Sequence, residues 1–277
     1  MAIKIPAFTT TCDYETEMDS GTWYIYLKSS GSFAFKYAKT KVDIFLQGGG
    51  GGGAGSGDYE SGGGGGAGGY QSTQYNQSVD SGSYAIEVGD GGEAMKTGGK
   101  TSAFGFTALG GGYGGDAGNF RVGSRNGTGA GGTGGYYNDG MNLGERGYDG
   151  EDGLLAFGRG SVYYGAGGGG SASKFASPHG AGGKTGGGNG GSGNGAANTG
   201  SGGGGDNGKG GSGIVILRGT QDDQLPVKFD GMTLQSILYN GEEVVHLIHD
   251  GTQIFMERMR MVIGWLKQKR PLLQPAG

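Results

Sequence analysis

The stretch that decides the fold is Lys41-Val42-Asp43-Ile44-Phe45-Leu46-Gln47, which runs directly into six consecutive glycines, Gly48–Gly53. The first part carries β-branched and aromatic residues, with apolar side chains at alternate positions, which is typical of a strand. The glycines have no side chains to pack, so a different backbone structure must follow that strand. Glycine accounts for 74 of the 277 residues, about four times its usual share of roughly 7%. All but eight of these glycines lie between Gly48 and Gly213.

This step in composition divides the chain into an N-terminal part, a glycine-rich middle and a C-terminal part (214–277). We expect N-terminal β-strands (1–47), a glycine-rich domain (48–213), a β-meander (219–256) and a basic tail (257–277). The run Ile214-Val215-Ile216-Leu217-Arg218 predicts a closing strand (214–218) that pairs back with the N-terminal sheet. The predicted fold class is therefore mainly β: a small antiparallel β-domain with a glycine-rich, polyglycine-II-like sandwich insertion, followed by a short β-meander.

Shorter patterns predict the individual strands of the first two parts. In the N-terminal part, Trp23–Lys28 predicts a strand, Ser29–Gly31 a turn, and Phe33–Tyr37 the hairpin partner of that strand. A disordered linker has no need of strands, so strand-like segments within the glycine-rich part indicate an ordered domain. Three such segments are predicted: Tyr84–Val88, Ala103–Leu109 and Ser161–Tyr164.

Three two-residue turn signals recur at intervals of 10 residues near the end of the chain: Asp230-Gly231, Asn240-Gly241 and Asp250-Gly251. Asp-Gly and Asn-Gly favour the type I′ hairpin turn because both central residues of that turn need positive φ. Since apolar residues lie between the turns, the spacing predicts a meander of about four short strands over residues 227–256.

The last part of the chain, residues 257–277, carries five basic residues and one acidic residue. Apolar residues between them make part of it amphipathic, so it could dock on a partner or on an anionic surface. The alternative is a frayed tail, because chain ends are often poorly ordered.

Two structures are open to the glycine-rich part. Extended glycine segments can form the left-handed polyglycine-II helix, with three residues per turn and a rise of about 3.1 Å per residue. Several such helices can pack side by side, and the backbone N–H groups of one then donate to the carbonyl groups of the next. In that arrangement we expect each alanine or serine to point outward and substitution of internal glycines to be strongly destabilising. The alternative is a solvated, flexible coil.

Composition and motifs exclude several functional classes. The 5 prolines and the lack of a fixed glycine period exclude collagen, and a net charge of −4 argues against nucleic-acid binding. The single cysteine, Cys12, excludes an intramolecular disulfide and a cysteine-rich zinc site, and we expect it to lie in a flexible start of the chain. Gly99-Lys100-Thr101 and Gly183-Lys184-Thr185 lack the glycine that a phosphate-binding loop needs five residues earlier. We therefore expect no enzyme, no cofactor and no metal site.

The beginning of the sequence lacks the apolar run of a secretory signal peptide, and no apolar stretch is long enough to cross a membrane. We therefore expect synthesis in a host cytoplasm without a signal peptide, and no membrane insertion. A protein of this kind that works outside the cell must leave by another route.

Tyrosine-rich interruptions of the glycine-rich part are the candidate recognition sites. Tyrosine supplies amphipathic contact area at low entropy cost, and neighbouring glycine, serine and asparagine supply reach and hydrogen bonds. The predicted receptor-binding residues are Tyr136, Tyr137, Asn138, Asp139, Asn142, Tyr148 and Asp149, with Tyr70 and Tyr75 as a second choice. Because tyrosine faces suit sugar rings and Asn or Asp suits sugar hydroxyls, the expected ligand is a cell-wall glycan. The alternative is that these tyrosines only cover the sides of the glycine lattice.

Four motifs, taken in order, resemble the glycine-rich tail proteins of bacteriophages and of prophages in gut Gram-positive bacteria. They are the strand-to-glycine junction 41–53, Ser83–Gly89, Gly98–Gly105 and the closing Gly210–Arg218. Some tail-fibre tip adhesins stack polyglycine-II helices into a sandwich and bind host receptors with loops at its distal end. The resemblance implies a virion-tail protein whose partners are a bacterial surface receptor and other tail proteins, and it leaves open whether one chain or a homo-oligomer acts.

Two other functions are alternatives to the adhesin. A structural or spacer component of a virion tail or surface assembly would use glycine for extension and bind nothing specifically. A glycine-rich extracellular domain of an animal receptor is disfavoured by the missing signal peptide and the near-absence of cysteine.

Overall fold

The computed structural model describes residues 5–36, 40–55, 63–115, 123–135, 145–173 and 176–220, together with the backbones of six short strands outside these ranges. These residues divide into two compact units, Met1–Thr220 and Gln221–Gly277. The described chain is mainly β, with several small antiparallel sheets, and this confirms the predicted fold class.

The first unit contains one main sheet, a second sheet that packs against it, and short strand pairs within the glycine-rich part. Its strands are β1 (Phe8–Thr10), β2 (Tyr14–Asp19), β3 (Thr22–Leu27), β4 (Gly31–Phe35), β5 (Thr40–Gln47), β6 (Gln71–Val79), β7 (Tyr84–Ile86), β8 (Thr101–Ala103), β9 (Phe106–Ala108), β10 (Tyr137–Asn138), β11 (Leu143–Gly144), β12 (Leu154–Leu155), β13 (Tyr163–Tyr164) and β14 (Ile214–Thr220).

The main sheet is antiparallel and has the strand order β2-β3-β14-β5-β6. Strand β14 lies between two N-terminal strands, so that Val215 is opposite Leu27 of β3 on one side and Leu46 of β5 on the other. These three side chains are fully buried. The chain therefore leaves the sheet at Gln47, returns once as the edge strand β6, and after the rest of the glycine-rich part returns as β14, which completes the sheet.

The second sheet has the order β1-β4-β7, and its position corrects one prediction. Strand β4 was expected to form a hairpin with β3, but it pairs with β1 and β7 instead. The reason is that the apolar faces of β3 and β4 bury each other: Trp23 and Phe35 are both buried, with ring centroids 6.3 Å apart. The intervening residues carry the chain from one sheet to the other, where Ser30 Oγ accepts a hydrogen bond from Val88 N at 2.9 Å.

The beginning of the chain is part of the core, which also corrects an expectation. Cys12 does not lie in a flexible start, because its side chain is buried and its segment connects β1 to β2. The ring of Phe8 in β1 stacks on that of Phe33, with centroids 5.2 Å apart. These contacts depend on side chains far away in sequence, which the local pattern does not reveal.

The predicted strand Ala103–Leu109 is a two-stranded hairpin in the structure. Strands β8 and β9 pair so that Ala103 is opposite Phe106. Between them, Phe104 has φ of 52° and Gly105 has φ of 84°. Positive φ at both central positions is the geometry of a type I′ turn, and it reverses the chain where the sequence suggested a continuous strand.

The glycine-rich part is a lattice of extended helices joined by backbone hydrogen bonds. Successive N–H groups of residues 48–54 donate to three neighbouring segments in turn, residues 64–70, 96–99 and 208–211. Every third residue returns to the same neighbour, which is the three-residue repeat of polyglycine II. The N···O pairs are Gly48–Tyr70 (3.0 Å), Gly49–Gly99 (2.9 Å), Gly50–Gly211 (2.9 Å), Gly51–Ala67 (2.8 Å), Gly52–Lys96 (2.9 Å), Gly53–Gly208 (2.7 Å) and Ala54–Gly64 (2.9 Å).

Residues 64–70 continue the same arrangement. Gly65 and Gly68 donate to residues 129–132, Gly66 and Gly69 donate to residues 200–203, and Ala67 and Tyr70 donate to residues 109–112. Helical segments in the interior of the lattice are thus hydrogen-bonded on every side without side-chain packing. This confirms the polyglycine-II-like insertion in the predicted fold.

The expectation that every alanine and serine of the lattice points outward is wrong. Several are fully buried: Ala54, Ala67, Ala166, Ser171 and Ser201. Each buried methyl or hydroxymethyl group needs a gap, and glycine supplies it. A Cβ added at Gly127 would lie only 3.1 Å from Cβ of Ala67, and one added at Gly186 would lie 3.1 Å from Oγ of Ser201.

The second unit is described by two strand pairs. Strand β15 (Lys228–Phe229) pairs with β16 (Met232–Thr233), and β17 (His246–His249) pairs with β18 (Thr252–Phe255), both antiparallel. In each pair two residues separate the strands in sequence, as the Asp-Gly turns predict. The predicted Asn240-Gly241 turn and the basic tail lie outside the described residues.

Candidate functional site

The first predicted recognition segment, Tyr136–Asn142, is described by its backbone alone and only in part. Tyr137 and Asn138 form β10, which pairs with β11 in an antiparallel register. Tyr136, Asp139 and Asn142 lie outside the described residues, and so do the side chains of β10.

The described residues on either side of this segment fix where it leaves the lattice. Gly135 N donates to Ser171 O at 2.8 Å, and Glu145 N donates to Ser173 Oγ at 2.9 Å. Ser171 is the end of a lattice helix that starts at Gly165, directly after β13. Six residues of polyglycine-II helix span about 19 Å. A Cβ built on Gly165 would lie 3.1 Å from Nε2 of Gln47, the last residue of β5, so Gly135 and Glu145 lie at the end of the lattice away from the main sheet.

Tyr148 and Asp149, predicted for the same site, belong to a lattice helix. Tyr148 N donates to Thr133 O at 2.9 Å, and Tyr148 O accepts from Gly170 N at 2.8 Å. Asp149 Oδ1 accepts from Ala181 N at 2.7 Å. The side chain of Tyr148 is exposed on the side of the lattice, so the structure does not bring these two residues into a loop.

The second predicted set lies at an edge strand of the main sheet. Tyr70 is the last residue of a lattice helix, since Tyr70 N donates to Leu109 O at 2.9 Å, and Tyr75 is within β6. Both side chains are exposed, Tyr75 by 56%. The residues of β6 are almost all polar, so no apolar pattern predicts this strand. The edge position explains this composition, since only one side of the strand is paired.

The outer face of the main sheet carries an aromatic and charged surface that includes Tyr75. The sequence pattern did not predict this surface. We define the outer-face cluster as Glu17, Tyr24, Tyr26, Asp43, Tyr75, Phe157 and Arg218. The register of the sheet aligns Glu17 with Tyr24, Tyr24 with Arg218, and Arg218 with Asp43 across four strands. The alternation of buried and half-buried residues along β3 could have indicated a second face with tyrosines, but the pairing with β14 could not be read from local sequence.

Arg218 is the centre of the outer-face cluster. Its Nε donates to Asp43 Oδ2 at 3.0 Å, and its Nη2 donates to the same oxygen. The guanidinium carbon lies 4.1 Å from the ring centroid of Phe157 and 5.9 Å from that of Tyr75. A guanidinium group stacked on aromatic faces and anchored by a carboxylate is held in one orientation.

Two residues of unusual backbone conformation hold this arrangement. Phe157 has φ of 52° in a single 3₁₀ turn (Ala156–Gly158), and Asn76 has φ of 54° beside a register shift in the pairing of β5 with β6. Asn76 N donates to Asp43 Oδ1 at 2.8 Å. Left-handed φ costs a bulky residue such as phenylalanine on the order of 1–2 kcal/mol. The contacts of Phe157 with Arg218 and Phe45 must offset that cost.

The pKa values of Tyr26, a member of the cluster, and of the neighbouring Tyr164 are raised. Burial and a hydrogen bond donated at 2.7 Å to Glu17 Oε2 raise the pKa of Tyr26. Burial raises the pKa of Tyr164 to about 12, and the negative charge of Glu17 adds to the effect. Both groups are therefore neutral at physiological pH.

The shift of Tyr164 predicts alkaline destabilisation. Since the folded pKa of about 12 lies above the ordinary value of about 10, stability present below pH ~10 is lost as the pH rises towards about 12, by up to about 3 kcal/mol. Tyr164→Phe should show a smaller loss, measured as the change in urea midpoint between neutral and alkaline buffer. Tyr148→Phe, at an exposed site, should behave as the wild type; equal losses in all three proteins would contradict the assignment.

The described residues contain no group of three or more His, Cys, Asp or Glu side chains able to hold a metal ion. Within the same parts of the chain, no helix has the length and apolar character needed to span a bilayer.

Comparison with known families gives one match: the model of a family described as a glycine-rich domain covers residues 28–220. This is well over half of the chain. The chain belongs to this glycine-rich domain family. The glycine-rich domain begins directly after β3 and ends with β14, so it includes the lattice and its closing strand but not the strand β3 that pairs with β14. A comparison with curated proteins gives no match.

Proposed function

We propose that the protein is a tail adhesin of a bacteriophage or prophage, located in the virion tail, which recognises a bacterial surface receptor. The proposed role is non-enzymatic and needs no cofactor. Its proposed partners are a cell-wall glycan and other tail proteins. The β-structured base would hold the glycine-rich lattice, and the lattice would present the segment Tyr136–Asn142 to the receptor.

The observation that carries this proposal is a rigid lattice whose far end holds Gly135 and Glu145, the described residues on either side of the tyrosine-rich segment Tyr136–Asn142. Residues 48–54 are hydrogen-bonded to three neighbours and are almost fully buried, so the lattice is a scaffold rather than a tether. Gly135 and Glu145 leave that scaffold at the end away from the main sheet. A segment fixed at both ends loses less entropy on binding than a free chain, which favours affinity.

The second candidate function is a structural or spacer component of a virion tail or surface assembly. It is favoured by Tyr148, whose backbone is part of the lattice and whose side chain covers the side of it. If all the tyrosines serve this purpose, the protein extends an assembly without recognising a receptor.

Cell binding distinguishes the two. The purified protein should bind a subset of strains in a panel of bacteria and their isolated wall glycans, and Tyr136→Ala/Tyr137→Ala should reduce that binding at least about tenfold, because stacked aromatic contacts dominate such interfaces. Tyr14→Ala, at an exposed tyrosine of the main sheet, is the matched control and should bind as the wild type. Weak, uniform binding that the double substitution does not change would favour the spacer.

A further inference from the structure

We propose that the outer-face cluster binds a neutral oligosaccharide. The inference is independent of the adhesin role, because this surface lies on the main sheet, whereas Gly135 and Glu145, which flank Tyr136–Asn142, lie at the far end of the lattice. It would be a second ligand site, formed by β2, β3, β14, β5 and β6 together with the turn that contains Phe157.

The outer-face cluster contains aromatic rings whose faces are partly exposed. Tyr24 and Tyr26 are adjacent on one side of β3, with centroids 6.2 Å apart and rings within 19° of parallel. Both are only partly buried. Tyr75 lies on the edge strand β6, and its side chain is 56% exposed although it contacts Phe157 and Arg218. Flat rings of this kind offer the apolar faces on which sugar C–H groups pack.

Hydrogen-bond donors and acceptors lie between these aromatic rings. The row Glu17, Tyr24, Arg218, Asp43 places acceptors and a donor on neighbouring strands. Arg218 has five N–H groups, of which two donate to Asp43, so others can serve a hydroxyl group of a ligand. A sugar hydroxyl both donates and accepts, and it therefore suits an Arg–Asp pair whose members are already held in place.

The charge on this face of the sheet favours a neutral ligand. Arg218 and Asp43 neutralise each other, and Lys28 forms an ion pair with Glu15 beside the cluster. On the same face, the remaining strand charges are Glu17 and Asp19 of β2 and Lys41 of β5, which leaves a surplus of one negative charge. An anionic saccharide would be repelled, whereas a neutral one would not.

The length of the cluster across the sheet indicates the size of the ligand. The row Glu17, Tyr24, Arg218, Asp43 crosses four strands, and Tyr75 on β6 adds a fifth. Neighbouring strands lie about 4.8 Å apart, so the row with Tyr75 extends over about 19 Å. That length fits several linked sugar rings better than a single one. Asn76 has positive φ, and its N–H donates to Asp43 Oδ1. This conformation places the adjacent Tyr75 at the end of the row. Irregular strand pairing often redirects a side chain in this way.

Titration of the full-length protein with neutral tetrasaccharides tests the site. We would add the tetramer of N-acetylglucosamine, maltotetraose and a uronate-containing tetrasaccharide at millimolar concentration and follow backbone amide NMR shifts. At least one neutral probe should perturb Tyr24, Tyr75 and Arg218, and the uronate probe should not. Tyr75→Ala should weaken that binding about tenfold through the loss of one aromatic contact, and Tyr148→Ala, at a similarly exposed tyrosine of the lattice, should leave it unchanged.

Three results would overturn the proposal: no shifts with either neutral probe, shifts confined to residues away from the outer face, or equal affinity of Tyr75→Ala and the wild type. Because Tyr75 is exposed, its replacement is not expected to alter folding, which an unchanged amide spectrum away from the sheet would verify. Loss of cell binding in Tyr136→Ala/Tyr137→Ala would not bear on this site.

Discussion

Gly51→Ala is expected to destabilise the protein by more than about 4 kcal/mol, which is exceptional for one methyl group. An alanine Cβ at this position would lie 2.0 Å from the carbonyl oxygen of Gly112 and 2.4 Å from its carbon. Backbone atoms cannot move aside as a flexible side chain can, so the two helices must separate. Their separation would break the hydrogen bonds that join them, from Gly111 N to Gly49 O at 2.8 Å and from Gly114 N to Gly52 O at 2.9 Å. Urea unfolding followed by circular dichroism measures the loss.

Gly82→Ala is the matched control for that substitution. No atom lies within 4 Å of a Cβ built on Gly82, and its φ is not in the left-handed region. The change should be neutral or stabilising by up to about 1 kcal/mol, because alanine restricts the unfolded chain. Similar stabilities of Gly51→Ala and Gly82→Ala would show that the glycine-rich part does not pack as described.

Gln47→Ala is expected to cost about 3–5 kcal/mol. The side chain is fully buried where β5 passes into the lattice, and Nε2 donates to Gly69 O at 2.7 Å and to Gly48 O at 3.2 Å. Truncation leaves a cavity and removes a donor from the carbonyl groups of Gly48 and Gly69, of which Gly69 O keeps a second donor, Thr128 Oγ1 at 2.7 Å. The lattice and the sheet should both lose stability, which a single lowered midpoint of thermal unfolding would report.

Gln77→Ala is the control for this second substitution. Gln77 lies on β6, and its Nε2 donates to Tyr75 O in an exposed bond at 2.7 Å. Its replacement should change stability by less than about 0.5 kcal/mol. If Gln47→Ala were as stable as Gln77→Ala, the buried junction between strand and lattice would not contribute to stability.

The parts of the fold that the sequence predicted are those with a strong local pattern. Val42–Leu46 and Ile214–Leu217 are dense in β-branched and apolar residues, which predicts buried strands in any context. The polyglycine-II helices could also be predicted, because glycine leaves backbone hydrogen bonding as the main source of cohesion. Both predictions rest on the residues themselves and not on distant partners.

The parts that could not be predicted depend on contacts far apart in sequence. Phe33 and Phe35 are compatible with a hairpin partner of β3, and only packing against Trp23 decides for a second sheet. The buried positions of Ala67 and Ser201 depend on Gly127 and Gly186, whose proximity no local pattern indicates. The outer-face cluster is of the same kind, since it requires β14 to bring Arg218 between Tyr24 and Asp43.

Amide hydrogen exchange of residues 48–54 tests the central claim most directly, namely that backbone bonds between adjacent helices make the glycine-rich part a rigid scaffold. Each of these amides donates to a neighbouring segment, so their exchange should be slowed to a degree comparable with that of the buried strand β14. The exposed residues around Gly82 supply the fast reference. Exchange of residues 48–54 at the rate of an unstructured peptide would contradict the scaffold, and with it the proposed adhesin.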